Sequence, residues 1–300
     1  MTISPPRLNR GDRIGVIAPA GPVNQPEILP GITLLESLGF EVHGSPHLYE
    51  RQGYLAGDDP SRLNDLHAMV RDERVKAILC ARGGFGTLRI LDKINFDLIR
   101  ENPKIIVGYS DITALLLAIH KETGLITFHG PVLRDLGKNE NRNLEAFLRL
   151  VSSEAPTTLD LQGGRVIRGG EATGVLLGGN LSLICHLLGT RFMPSLEGAL
   201  LFIEEKGEPL YRLDRMLTHL RLSGQLKGCA GLIAGSFEEC GDLPSIDLLL
   251  KDSLSDLDIP MIAGLQAGHG EANFPLPIGV RATLDTERMT LTMMEACVAP

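Results

Sequence analysis

Ser110 stands in Lys104-Ile-Ile-Val-Gly-Tyr-Ser-Asp-Ile-Thr113, where an apolar β-branched run passes through Gly-x-Ser into the apolar helical stretch Ala114–Ile119. A strand that turns sharply through a serine into a helix is the layout of a nucleophile elbow. The hydroxyl projects above the strand end, with the helix N-terminus beneath it. Free backbone N–H groups at that terminus suit a developing oxyanion. The usual elbow reads G-x-S-x-G, whereas Asp111 and Ile112 follow this serine. The motif alone therefore leaves a second reading open, that Ser110 is simply an N-cap. Directly after the run Val75–Ala81 comes Arg82-Gly-Gly-Phe-Gly86. Glycines at a strand end permit positive φ and uncover backbone N–H groups. That loop could cradle a phosphate, supply a second oxyanion donor, or make a tight turn. Its spacing fits neither the dinucleotide fingerprint nor the P-loop.

A serine nucleophile needs a base, normally histidine, and a carboxylate to hold the imidazole. Of the eight histidines, His43, His47 and His67 lie in segments without other site features. His120 follows Ser110 on the same helical stretch and would point away from the elbow. His186 and His219 sit on amphipathic stretches, where an ordinary helix position explains them. His129 ends an apolar strand in Thr127-Phe-His-Gly-Pro131 and is a fair candidate. His269 is the stronger one. It sits in the glycine-flanked loop Gly268-His-Gly-Glu-Ala-Asn-Phe-Pro275, just past the run Met261–Ala263, and loops at strand ends are where such groups are placed. For the carboxylate, Leu200-Leu-Phe-Ile-Glu-Glu205 closes an apolar strand with paired acids. A buried carboxylate is expensive unless a partner takes its charge. Glu204 or Glu205 orienting a histidine would supply one; the other reading has both acids facing solvent. No HExxH or H-x-x-E-H occurs, and no carboxylate cluster has ligand spacing, so no metal is expected.

These residues need elements to hold them. In the first half, short β-branched runs (Arg13–Ala18, Glu41–His43, Val75–Ala81, Lys104–Val107, Ile126–His129) alternate with stretches of helical period (Ile28–Leu38, Ser61–Arg71, Leu88–Ile94, Asp111–Glu122, Arg142–Val151). Regular strand–helix alternation reads as a parallel sheet with helices on both faces. From about Ser152 the character changes. Pro156 and the pairs Gly163-Gly164 and Gly169-Gly170 read as a linker. Beyond it lie short strands at Ala199–Ile203, Gly231–Ala234, Met261–Ala263, Val280–Leu284 and Met289–Met293, with helices at Leu181–Leu188 and Tyr211–Leu222. This half reads as mixed α/β of another topology.

At 300 residues and 43% hydrophobic, the chain is too apolar for disorder and long enough for two domains. A net charge of −8 argues against nucleic acid as a partner. No apolar run reaches the length of a membrane span, and the N-terminal residues lack a signal-peptide core, so a cytoplasmic protein is expected. Five scattered cysteines without a CxxC support neither a disulfide framework nor a zinc ribbon.

Taken in order, these blocks resemble the LD-carboxypeptidases, serine peptidases of murein recycling, along nearly the whole chain. The resemblance is carried by GDRIGVIAPAGPV (Gly11–Val23), GYLAGDD (Gly53–Asp59), VKAILCARGGFGTLRIL (Val75–Leu91), VGYSDIT (Val107–Thr113), FHGPV (Phe128–Val132), GVLLGGNLSLICHLLGT (Gly174–Thr190), LFIEEKGEPLYRLDRMLTHL (Leu201–Leu220) and GHGEANFPLPIG (Gly268–Gly279). It implies a Ser–Glu–His triad in that chain order. The nucleophile falls on Ser110, the carboxylate on Glu204 and the base on His269, with Glu205 at a neighbouring non-catalytic position. The oxyanion hole would be the backbone N–H groups of Asp111 and a loop glycine, Gly84 in preference to Gly83. The implied fold is an N-terminal flavodoxin-like domain (1–155) and a smaller C-terminal mixed α/β domain (170–300), with the site in the cleft between them and no cofactor. Such enzymes are commonly homodimers.

The implied reaction removes terminal D-alanine from a murein tetrapeptide by cleaving its bond to the L-centre of meso-diaminopimelate or lysine, through an acyl-enzyme. A free terminal carboxylate calls for a bidentate arginine. Arg82 is assigned to it only because it borders the glycine loop. Some members of the family are microcin C immunity proteins, which cleave a peptidyl or aminoacyl bond to a nucleotide analogue. A nucleobase favours an aromatic platform. With no Trp, four Tyr and nine Phe, the chain leans toward the murein peptide. A non-catalytic small-ligand module on the same cleft is the remaining alternative.

Overall fold

Short, nearly continuous apolar runs are what a parallel sheet covered on both faces requires, and they supply the first half of the chain. A computed structural model describes residues 2–136 and 142–300. The first half runs β1 (Arg13–Ile17), α1 (Gln25–Ser37), β2 (Glu41–Gly44), α2 (Asp59–Arg71), β3 (Val75–Cys80), α3 (Phe96–Glu101), β4 (Ile105–Gly108), α4 (Ile112–Thr123), β5 (Thr127–His129), α5 (Leu133–Leu136) and α6 (Arg142–Ser152). The second half runs β6 (Thr158–Asp160), β7 (Arg165–Arg168), β8 (Glu171–Asn180), α7 (Leu181–Leu187), β9 (Ala199–Lys206), α8 (Leu210–Leu222), β10 (Gly231–Glu238), α9 (Leu243–Ser253), β11 (Met261–Ala263), β12 (Leu276–Ile278), β13 (Arg281–Asp285) and β14 (Thr290–Met293).

The first sheet has the order β12-β5-β4-β3-β1-β2. Its five N-terminal strands are parallel in the flavodoxin-like order, a doubly wound topology that gathers ligands beyond the strand C-termini. β12 comes from far along the chain and closes the edge antiparallel to β5, with Leu276 opposite His129. Pro277 is tolerated there because an edge strand can spare a donor. The second sheet has the order β6-β14-β13-β8-β9-β10-β11-β7, with β8 to β11 parallel and the flanking strands antiparallel.

Two local expectations change, and one strand stood outside them. The stretch read as a linker carries β6 and β7, which form the two opposite edges of the second sheet. Their residues are mostly exposed or half-buried, so their polarity imitated a linker. Leu88–Ile94 is not an α-helix but two 3-10 turns, Thr87–Arg89 and Leu91–Lys93. Asp111 Oδ2 pins the Thr87 N–H at 2.9 Å and the Asn95 side chain caps α3, leaving too little chain between them for α geometry. β8 was hidden by its glycines. A Cβ on Gly179 would lie 2.6 Å from the Thr113 side chain, so β8 meets the first turn of α4 only because that position is glycine. The Asn180 N–H then donates to Thr113 Oγ1 at 3.0 Å.

α4 is buried almost all round, from Ile112 through Ile119, as a helix between two layers must be. Each such aliphatic side chain contributes roughly 2 kcal/mol on burial. The helix that begins at the elbow is thus a rigid part of the core. All five cysteines are free thiols, four of them buried. Among the described residues, no helix is long and apolar enough to cross a membrane.

Candidate active site

Ser110 links β4 to α4 in the left-handed region, at φ +63°. A side chain there costs about 1 kcal/mol or more, and such strain persists only where the surroundings impose it. The Ser110 side chain caps nothing. Its backbone carbonyl accepts the Thr113 N–H at 2.9 Å, while the N-cap position belongs to Asp111, whose side chain makes no cap bond. The hydroxyl is therefore left free of the helix.

The glycine loop after β3 lies directly against this serine. A Cβ on Gly83 would sit 2.8 Å from Ser110 Cβ and 3.0 Å from its Oγ. The Gly83 carbonyl accepts the Gly21 N–H at 3.1 Å. Among the described residues, the N–H groups of Gly84 and Asp111 have no intramolecular acceptor, which leaves two donors open near the hydroxyl. Two buried groups hold the loop. The Asp111 carboxylate accepts the Thr87 N–H, and its pKa is raised by burial against the pull of Thr87. Arg62, only 1% exposed, donates to the carbonyls of Pro19 and Gly86, the latter at 2.9 Å, and pairs with Asp59. Arg62→Met would leave both carbonyls unpaired, at an expected cost of about 2–4 kcal/mol. A lower urea midpoint at unchanged m-value would show it.

On the second sheet, Glu204 ends the apolar run of β9 and is completely buried. Its Oε2 accepts the His269 Nδ1–H at 2.7 Å. Burial works against the imidazolium, but the hydrogen bond and charge of Glu204 outweigh it, so the His269 pKa lies above its ordinary 6.5. With Nδ1 committed, Nε2 is the nitrogen available to take a proton. The His269 ring packs edge-on against Tyr109, with centroids 4.8 Å apart. Tyr109 immediately precedes Ser110, so this contact seats the histidine loop at the elbow. The Tyr109 hydroxyl is anchored on Asp135 Oδ2 at 2.8 Å.

The loop that carries His269 is pinned on both sides. The Gly268 N–H donates to Asn273 Oδ1 at 2.9 Å, and the Gly270 N–H donates to Ser236 Oγ at 3.1 Å. Gly268 has φ +113°, and a Cβ there would lie 2.5 Å from Glu204 Oε2 and 2.7 Å from Ser236 Oγ. Gly268→Ala is therefore expected to push His269 off Glu204. Turnover should fall at least 100-fold, and the acid limb of the pH–rate profile should move down as the histidine loses its partner.

The structure thus brings Ser110, His269, Glu204, Gly84 and Asp111 to one place. Glu205 takes a different job: Oε1 accepts Asn180 Nδ2 at 2.9 Å, and Oε2 accepts the Ser182 N–H at 2.8 Å at the start of α7. Neither acid faces solvent. His129 is close by but unsuited to be the base. It is fully buried between Tyr109 and Phe202, neither ring nitrogen has a hydrogen-bond partner among the described residues, and burial followed by the nearby His269 pushes its pKa down to about 3. Arg82 borders the site, half-buried, with Nη1 donating to Pro22 O at 3.0 Å. Sequence reasoning missed Tyr109, Ser236, Asn273 and Arg62. The Asn and the Tyr lay inside quoted motifs, but no spacing rule marks them. Among the described residues, no three His, Cys, Asp or Glu side chains gather as a metal would need.

The fold and the site define a hydrolase-type arrangement on a two-sheet α/β scaffold, and the comparisons place it. The profile of the LD-carboxypeptidase N-terminal domain matches residues 14–130, and that of the C-terminal domain matches residues 173–284. This chain belongs to the LD-carboxypeptidase family and is a peptidase. It is 42% identical to the probable murein peptide carboxypeptidase of Bacillus subtilis, over 100% of this chain and 96% of that one. It is 31% identical to the murein tetrapeptide carboxypeptidase of Pseudomonas aeruginosa, over 92% and 94% of the two chains. Among solved structures, the MccF-like protein of Bacillus anthracis superposes with a TM-score of 0.92 at 32% identity, covering 98% of this chain and 100% of that one.

Proposed function

We propose that the protein is a serine LD-carboxypeptidase that removes terminal D-alanine from murein tetrapeptide in peptidoglycan recycling. The observation that carries this reading is the buried Glu204–His269 pair, 2.7 Å between Oε2 and Nδ1, seated on the elbow serine by Tyr109. His269 Nε2 takes the Ser110 proton as Oγ attacks the carbonyl carbon of the scissile bond, and Glu204 stabilises the imidazolium. The oxyanion is held by the N–H groups of Gly84 and Asp111. His269 then gives its proton to the leaving nitrogen, D-alanine departs, and the acyl group stays as an ester on Ser110. Water, deprotonated by His269, hydrolyses that ester and restores the serine. Arg82 takes the terminal carboxylate.

The B. subtilis and P. aeruginosa relatives, named for murein peptides, support the substrate class. A second reading, hydrolysis of aminoacyl-nucleotides, draws on the MccF-like structure and on the exposed aromatic pair Tyr54 and Phe85, centroids 5.6 Å apart, which offers a stacking surface. The two separate by kcat/KM. A tetrapeptide ending in D-alanine should exceed an aminoacyl-sulfamoyl nucleoside by at least 100-fold, and the reverse order would establish the second reading.

A further inference from the structure

The chain carries a net charge of −8, yet one side of the glycine loop is short of anions. A cavity of about 600 Å3 is lined by Arg51, Tyr54, Arg82, Gly84 and Phe85, among others. Most of the chain's well-placed arginines sit on carboxylates, as Arg13, Arg62, Arg89 and Arg165 do. These two do not. Among the described residues Arg51 has no ion pair or hydrogen bond, and the partner of Arg82 is the neutral Pro22 carbonyl. The carboxylates nearest Arg82 are engaged elsewhere: Glu27 accepts the Asn24 N–H at 2.9 Å, and Asp135 accepts the Tyr109 hydroxyl.

Arg134 adds a third positive charge behind the loop. Its N–H donates to Ala81 O at 3.1 Å, next to Arg82, and its Nε has an ion-pair contact with Asp135 Oδ1 at 3.9 Å, too long for a hydrogen bond. Burial, then the like charges of Arg134 and Arg51, hold the Arg82 pKa below the ordinary arginine value. Gathered guanidinium groups repel one another and cost stability unless an anion joins them. Two of them lining one pocket are the usual receptor for a carboxylate or phosphate. Tyr54 and Phe85, 66% and 44% exposed, give that pocket an apolar rim. Gly84 lines the pocket while its neighbour Gly83 packs on Ser110, so the pocket opens one residue along the loop from the nucleophile.

We propose that Arg51 joins Arg82 in an anion subsite, rimmed by Tyr54 and Phe85, that binds a free carboxylate of the substrate beside the scissile bond and makes the enzyme select acid over amide termini. The assignment rests on the carboxypeptidase reading above. Arg51 is exposed, so its replacement should leave the fold intact, which a thermal melt checks. Arg51→Ala is expected to raise KM for the tetrapeptide acid about 10–100-fold, as the loss of one charge-assisted contact predicts, with kcat within about threefold. Arg51→Lys should recover part of that loss. For the C-terminal amide of the same peptide, already a poor substrate, Arg51→Ala should lower kcat/KM by less than about threefold.

Calorimetry on Ser110→Ala protein separates this proposal from the activity itself. Binding of the tetrapeptide, weakened by Arg51→Ala in the same ratio as KM, supports the subsite even if cleavage of that peptide proves slow. Binding of AMP but not tetrapeptide, again lost with Arg51→Ala, would keep the anion subsite and overturn the carboxylate assignment in favour of phosphate. Unchanged KM, unchanged binding and unchanged acid-to-amide preference in folded Arg51→Ala protein would overturn the proposal.

Discussion

Ser110→Ala is expected to lower kcat by about 10^5-fold or more, the loss typical of removing a nucleophile that acts as one unit with its base, while the melting temperature stays within a degree or two. The two halves of that result belong together. Had Ser110 been a capping residue, alanine would cost about 1 kcal/mol of stability and leave chemistry largely intact. Its side chain makes no cap bond, since Thr113 N–H is taken by the Ser110 carbonyl. Removing the hydroxyl therefore costs the fold little. Ser110→Gly sharpens the test. It should be as inactive as alanine, yet at least as stable, because glycine relieves a φ of +63° by up to about 1 kcal/mol. A serine retained at a strained position that glycine would occupy more comfortably is held there for its oxygen. Kinetics and calorimetric melts on the three proteins check both halves.

The second large effect separates two adjacent glutamates. Glu204→Gln should reduce kcat/KM by roughly 10^3- to 10^4-fold, because an amide can no longer hold the Nδ1–H tautomer or stabilise the imidazolium. Glu205→Gln should cost activity less than about tenfold. Its oxygens serve Asn180, the Ser182 N–H and the Lys206 N–H, so its loss falls on the start of α7 and is read in stability, about 1–2 kcal/mol. The pH profile gives an independent sign. His269 must be neutral to accept a proton, so activity is lost as pH falls through its pKa. With Glu204 present that pKa lies above 6.5, and the acid limb of kcat/KM should lie there too. In Glu204→Gln the hydrogen-bonded carboxylate is gone and burial is opposed only by the weaker pull of Glu205, so the limb should move down. Equal kinetic losses at the two glutamates, or a limb that does not move, would remove Glu204 from the role proposed for it.

What could be read from the chain beforehand divides along physical lines. β1, β3, β4 and β5 were legible because both faces of the first sheet are covered, so each strand is a plain apolar run. The second sheet was harder, since its identity rests on contacts distant in sequence. β8 carries Gly174, Gly178 and Gly179, which depress strand propensity and are there only because β9 and the first turn of α4 come so close. β12 is three residues with a central proline, and its strand character comes from pairing with β5. α9 had its signals, Asp242 as N-cap and Pro244 in the first turn, but Leu243 and Leu248 remain exposed and blurred its apolar face. At the site, Ser110, Glu204 and His269 could be named because each ends or follows an apolar strand and because the blocks around them resemble a family. Choosing Glu204 over Glu205 needed that resemblance, and the geometry now gives the two acids different partners. Ser236, Arg62 and Asn180 could not be seen. Each acts on a group 24 to 67 residues away, and a hydroxyl, a guanidinium or an amide carries no periodicity that would announce such a partner.

The measurement that bears most directly on the proposed activity is the mass of the product formed from L-Ala-γ-D-Glu-meso-Dap-D-Ala by the wild-type protein and by Ser110→Ala. Loss of one alanine residue with wild type, and intact tetrapeptide with folded Ser110→Ala, is the predicted result. Intact tetrapeptide from folded wild type, or equal cleavage by both proteins, would contradict it.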